Sequence, residues 1–313
     1  MKQNVSLARV HSPLRISDSV RDKVCDLTKT RKTGIRRLEY ITECIADYVN
    51  YDHKHKFEGT RNAEDVWRTR KGHCLEQNIL LHVACREQGL KIGWLVTKNP
   101  EGYTCTVFDD VGVHTFVTYL DGRSLYVADA VCGEVFPSQE ITCMGRQRLA
   151  ESEFVAFYLN DSAEDLITHG RIVEALELTE IALQIDPNNY TIHVNRGNLW
   201  EKLDERERAK KEYCEAIEKA PNLADPHEEY ARFLGKTMGK RSFECELLRA
   251  ASKKTTDLDV ICRLERQLRG LGNREESNLL LALLLTTAEE TGVMNCYEKR
   301  LNEVVAEELR IPF

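Results

Sequence analysis

The chain lacks paired cysteines. Its eleven cysteines, Cys25, Cys44, Cys74, Cys85 and Cys105 among them, contain no C-x-x-C pair. A chain of 313 residues has no need of a disulfide scaffold, so the expectation is a reduced, cytoplasmic protein. Long apolar runs are also missing. The opening MKQNVSLARVHSPLRISDSV has no secretory apolar segment, and the longest apolar run, Leu279 to Leu285, is too short to cross a bilayer, so no membrane partner is expected. There is no excess of positive charge: the formal net charge is -7, which argues against nucleic acid as a partner. Proline and glycine are too scarce, at 7 and 17, for a large disordered fraction. His53, His55 and His73 stand near Cys74, but without the spacing of a paired-cysteine or H-E-x-x-H site, so neither a metal nor another cofactor is expected.

What is present is the composition of a folded protein, 42% hydrophobic and 30% charged, in a chain longer than one core usually organises. Ile35, Leu38, Ile41, Ile45 and Val49 recur at helical spacing, and that helix should end near Asn50-Tyr51-Asp52. Leu75, Ile79, Leu80, Val83 and Ala84 mark a second helix from Cys74 to Gly89, with the glycine as its cap. Beyond it the period becomes two. Ile92, Trp94 and Val96 alternate, and Thr104 to Phe108, Val111 to Leu120 and Ser124 to Val131 read as further strands. Asp121-Gly122 is the strongest hairpin signal. As a two-residue turn it pairs Leu120 with Arg123 and sets His114 opposite Asp129. A longer loop through Ser124 sets Val131 opposite His114 and leaves Asp129 as its diagonal neighbour.

From about Glu151 the pattern is helical with a period of 34 residues. Pro187 and Pro221 repeat at that interval, as do Ala175 and Ala209, and Ala182, Ala216 and Ala250. Gly197, Trp200, Ala209, Tyr213, Ala216 and Pro221 fall where a tetratricopeptide unit places its glycine, aromatics, small residues and proline, and these segments resemble tetratricopeptide repeats. Two good repeats with degenerate neighbours are expected, closed by helices over Leu258 to Leu271 and Glu275 to Glu290. Asn160, Asn198 and Arg232 lie on first helices of such pairs, which makes them candidates for a peptide-binding groove and, equally, for ordinary solvent exposure.

Among the cysteines, Cys74 combines a helix start with a downstream histidine and carboxylate on paired strands. A thiol reacts as its thiolate, and a helix amino end with a nearby imidazolium favours that form. In this pattern His114 takes and returns the proton, while Asp129, within the apolar stretch LYVADAV, orients the ring. The alternative is a core cysteine, a surface histidine and an ion-paired aspartate that never act together.

WRTRKGHC followed by a helix, then VHTFVTYL and LYVADAV, resembles the transglutaminase-like core, and ADYVNYDHKH resembles the family's helix and tyrosine ahead of the site. The likeness spans roughly residues 34 to 135. It implies an α+β, papain-like domain of helices on an antiparallel sheet, with Cys74 as nucleophile two positions after Gly72, His114 as base and Asp129 as orienting acid. Two features depart from the family: Thr115-Phe116 follows His114 where many members have tryptophan, and no upstream oxyanion donor is placed, although Trp67 is nearby. The organisation expected is an extension over 1–33, a transglutaminase-like catalytic domain over 34–150 and an all-α tetratricopeptide-type domain over 151–313. The function expected is a cysteine hydrolase (peptidase or amidase) or acyltransferase on protein amides, with the repeats binding a protein partner. The rival is a non-catalytic interaction scaffold on the same fold.

Overall fold

A computed structural model describes residues 13–52, 61–101, 113–140, 142–253 and 258–291. Helices α1 (Asp18–Leu27), α2 (Gly34–Tyr48), α3 (Ala63–Thr69) and α4 (Cys74–Glu87) precede a sheet, with two short parallel strands, β1 (Asn50–Tyr51) and β2 (Lys71–Gly72), between them. The sheet is antiparallel and consists of β3 (Ile92–Glu101), β4 (Val113–Asp121), β5 (Ser124–Asp129), β6 (Glu134–Pro137) and β7 (Thr142–Leu149), in the order β6-β5-β4-β3-β7.

Helix α4 is the centre of this half. Eleven consecutive residues, Leu75 to Cys85, are buried, because α1, α2 and α3 surround it and the sheet lies beneath it. Burying Ile79, Leu80, Leu81 and Val83 contributes about 1.5–3 kcal/mol each. The helix stops at Gly89, whose φ of +78° lets its N–H reach the carbonyl of Arg86 (2.9 Å) and that of Leu90 reach Cys85 (3.0 Å). Leu14, Ile16, Val20 and Val24 belong to the same core, so the stretch expected as an extension packs into the domain from residue 14 onward.

The hairpin differs from the simplest reading. Asp121 pairs with Ser124, so the tight turn is Gly122-Arg123, and the positive φ of 62° falls on its first residue. This is the register that makes Asp129 a diagonal neighbour of His114. Strands β6 and β7 carry no clear alternation and were not expected; β6 is four residues long and ends in a proline. The expected strand Thr104 to Phe108 lies outside the described residues, as do His53 and His55.

The second half is a stack of helix pairs: α5 (Glu151–Thr168) with α6 (Ile172–Ile185), α7 (Tyr190–Lys202) with α8 (Arg206–Lys219), α9 (Ala224–Thr237) with α10 (Lys240–Ala251), and α11 (Leu258–Leu271) with α12 (Arg274–Thr291). The repeating alanines explain the close approach: Ala175, Ala182, Ala209, Ala216 and Ala250 are all fully buried. At Gly197 an added Cβ would lie 2.8 Å from the ring of Tyr213, so only glycine lets that tyrosine lie against α7. The third pair forms although Phe243 stands where the second has Ala209 and Thr255 where it has Pro221, because Ala224, Ala231 and Leu247 fill a common core with Val260, Leu264 and Leu280.

The two halves share a core. Trp94 of β3 is stacked between His82 of α4 (centroids 4.5 Å apart) and Phe154 of α5 (3.5 Å). Tyr158, Leu159, Ile181 and Ile192 of the helical array join the cluster that holds Leu38 and Leu80. Among the described residues, no helix is long and apolar enough to cross a membrane.

Candidate active site

Cys74 opens α4, in the turn whose N–H groups have no intrahelical acceptor. The chain reaches it through Gly72, where an added Cβ would meet Glu76 Cβ at 3.1 Å; the small residue lets the segment pass over the first turn of the helix it enters. Gln77 Nε2 donates to the Gly72 carbonyl (2.8 Å) and ties that approach down.

The structure brings His114 and Asp129 together. Both are fully buried, and His114 Nε2 lies 3.1 Å from Asp129 Oδ2. The ring also packs edge-on against Phe116, with centroids 4.4 Å apart. Nε2 is engaged by the carboxylate, and His114 is near enough to the Cys74 side chain to favour its thiolate. Burial pulls the imidazolium of His114 down, but the charge of Asp129 and its hydrogen bond outweigh that and hold it up at about 10. For Cys74 burial pushes the thiol up, and hydrogen bonds from His114 and from His73 overcome it, bringing it to about 6. Burial raises Cys25, Cys44 and Cys85 instead. The arrangement therefore holds a thiolate beside an imidazolium near neutral pH.

Asn78, which the sequence reading did not single out, links all three parts. Its Nδ2 lies 2.8 Å from Asp129 Oδ1, 2.9 Å from the Thr115 carbonyl and 3.0 Å from the Cys74 carbonyl, and its Oδ1 accepts the Ala130 N–H at 2.9 Å. Asp129 Oδ1 also accepts the Val131 N–H (3.0 Å), so Oδ2 is turned to the histidine. The signal was available only as spacing: an asparagine one turn after the cysteine shares its helix face.

On the other side of Cys74 lies a charged network. Glu76, fully buried, accepts the backbone N–H of Arg61 (2.5 Å) and of His73 (3.1 Å) and pairs with the Arg61 guanidinium at 3.7 Å. Arg61 also pairs with Asp52 at 3.5 Å. From the array, Asp161 of α5 bears on the same place: burial pushes its carboxyl up to about 7, against the pull of His73. Trp67 is a packing residue here, buried and stacked on Tyr48 with centroids 4.2 Å apart.

Of the candidate groove residues, Asn198 and Arg232 are hydrogen-bonded to each other and line an open groove of about 520 Å³ with Glu164, Asn195, Glu201 and Lys236. Asn160 does not join them. It is 8% exposed, with Oδ1 lacking a hydrogen-bond partner among the described residues.

No curated protein matches the sequence. Among solved structures, the chain is similar over 86% of its length to menin, in a structure reported as revealing its binding site for Mixed Lineage Leukemia protein; 71% of that chain is covered, at 11% identity and a TM-score of 0.53, which speaks to the fold. It is also similar to MamA, at 15% identity over 44% of this chain and 80% of that one (TM-score 0.33), and to the tetratricopeptide protein YrrB, at 18% over 47% and 78% (TM-score 0.30). Residues 21–130 match the family model of the transglutaminase-like superfamily, and the chain thus carries a transglutaminase-like domain ahead of its helical array.

Proposed function

We propose that this protein is a cysteine hydrolase or acyltransferase that acts on amides in proteins or peptides, with Cys74 as nucleophile, His114 as base and Asp129 as the group that orients the base. The observation that carries the reading is the buried pair of His114 Nε2 and Asp129 Oδ2, 3.1 Å apart, beside a thiol at the amino end of α4. In the resting ion pair the proton already sits on His114, and the thiolate sulfur forms a bond to the amide carbonyl carbon as the carbonyl π electrons move to oxygen. As the tetrahedral intermediate collapses, the C–N bond breaks and the imidazolium gives its proton to the departing amine. The acyl thioester then meets water or a second amine. His114 takes a proton from that acceptor as its oxygen or nitrogen bonds the carbonyl carbon, the C–S bond breaks, and the proton stays on His114 beside the regenerated thiolate. The N–H of Cys74 is the oxyanion donor the fold offers.

The helical array supports recognition of a protein partner. Its groove presents side chains of both signs and amides, Glu164, Asn195, Asn198, Glu201, Arg232 and Lys236, which suits an extended polypeptide with its own polar backbone. A reducing, cytoplasmic setting suits the thiol.

The test is to trap the acyl-enzyme. The folded protein, incubated with a panel of activated peptide esters and amides, should gain one acyl mass on Cys74, and Cys74→Ala and His114→Ala should gain none. Release of the acid in water, or of a new amide when an amine is added, then separates hydrolase from acyltransferase. If no acyl group appears on Cys74 with any member of the panel, and iodoacetamide labels Cys74 no faster than Cys25 or Cys44, the reading falls and a non-catalytic interaction scaffold remains.

A further inference from the structure

His73 precedes the nucleophile, yet the mechanism above does not use it. Its placement is specific. The residue is the amino-terminal cap of α4, held by its own N–H bond to Glu76 Oε2 at 3.1 Å, while its Nε2 lies 3.8 Å from Glu76 Oε1. Glu76 is itself fixed, being fully buried and held by the backbone and guanidinium of Arg61. The imidazole therefore sits on a fixed carboxyl support one residue from the reactive sulfur, and it bears electrostatically on the Cys74 thiol. The two histidines differ in access: His114 is 0% exposed, whereas the His73 side chain is 23% exposed.

We propose that His73 is a second imidazolium partner of Cys74, more exposed than the buried His114, and that the thiolate is shared between the two. This rests on the reading of Cys74 as the nucleophile. Two partners make physical sense at this site. Burial strongly opposes a charged sulfur, and a single imidazolium already committed to Asp129 must divide its attraction between two anions. Among the described residues, the groups that face His73 include Cys74 and Glu76 on its own helix and Asp161 on α5, with Arg61 behind Glu76. Three of these four carry negative charge when ionised, so the surroundings favour the imidazolium, and burial acts against them. His73 is held at about 9, protonated at the pH where Cys74 loses its proton. One consequence is that Asp161 makes the first helix of the array part of the electrostatic surroundings of the nucleophile.

The experiment is the rate of Cys74 alkylation by iodoacetamide against pH, read by peptide mass spectrometry on wild type, His73→Ala, His73→Gln, His114→Ala and the double variant His73→Ala/His114→Ala. Each is first checked by thermal unfolding to be folded at the assay temperature. The wild-type rate should rise with a midpoint near pH 6. Each single variant should move the midpoint upward without reaching that of an ordinary thiol, about 8.5, and only the double variant should reach or pass it. If His114→Ala alone gives an ordinary thiol while both His73 variants keep the wild-type profile, the second partner is ruled out and the Cys74–His114 reading stands. If wild type itself behaves as an ordinary thiol, the nucleophile reading fails and this inference fails with it.

Discussion

Asn78 shows how few side chains hold the site in register. Its amide is fully buried and its single Oδ1 accepts from Ala130, which fixes the orientation that points Nδ2 at Asp129. Asn78→Asp keeps the size and the acceptor but replaces the donor with a second carboxylate facing Asp129. Two such charges repel, and Asp129 loses a hydrogen bond that helps aim Oδ2 at His114. The expected outcome is a loss of about 1–3 kcal/mol of stability by urea unfolding, together with an upward shift of the Cys74 alkylation profile of about one pH unit, or about 1.36 kcal/mol. A folded Asn78→Asp protein with the wild-type profile would reduce Asn78 to a packing role. The placing of Cys74 at a helix start and of His114 beside Asp129 was legible in the sequence because helix starts and paired strands leave local patterns. Asn78 and His73 were not, because each acts through contacts that exist only once α4 meets β4, β5 and the segment at Arg61.

At the scale of elements, α5 is where the two halves of the sequence pattern meet. Its helical period was readable; Gly170, with φ of +74°, ends it by letting its own N–H reach the Ile167 carbonyl and that of Arg171 reach Leu166. What periodicity cannot show is the face this helix turns to the sheet, where Phe154 stacks on Trp94 and Asp161 comes under the influence of His73. The hairpin β4–β5 makes a related point. The Asp-Gly dipeptide located the turn, but the glycine takes its first position, which shifts the register by two from the simplest reading. Asp161 gives a test of α5. Burial raises its folded-state value to about 7, above the roughly 3.9 of an unfolded chain. The folded state therefore binds more protons than the unfolded state between those values, and this group's contribution opposes folding progressively as pH rises from about 4 to about 7. Asp161→Asn should raise stability at pH 8 by on the order of 2 kcal/mol and leave it little changed at pH 4. Equal effects of the substitution at both pH values, measured by thermal unfolding, would contradict the assignment.

For the whole molecule, the question is whether the sheet and the helical array are independent bodies. Composition and period divide the chain near residue 150, since the amino acid pattern changes there from alternation to the 34-residue repeat. Packing does not respect that division. One apolar cluster runs from Leu14 through Leu38 and Leu80 to Trp94, Phe154, Ile181 and Ile192, so the first two helix pairs and the sheet bury surface against each other. Repeat arrays couple each unit mainly to its neighbours, and here the first unit has the transglutaminase-like domain as its neighbour on one side, while the pairs α9–α10 and α11–α12 close a separate cluster of their own, with α12 touching β7. Unfolding of wild type should therefore melt the sheet and the first repeats together. Phe154→Ala removes the central ring of that junction and should cost about 3–5 kcal/mol. Beyond that cost it should separate the transition: the near-ultraviolet signal of Trp94, which loses its stacking partner, and the far-ultraviolet signal of the helices would no longer change at one temperature. Coincident transitions in Phe154→Ala would mean that the remaining contacts of α5 with β3 and β7 suffice to hold the halves as one cooperative unit.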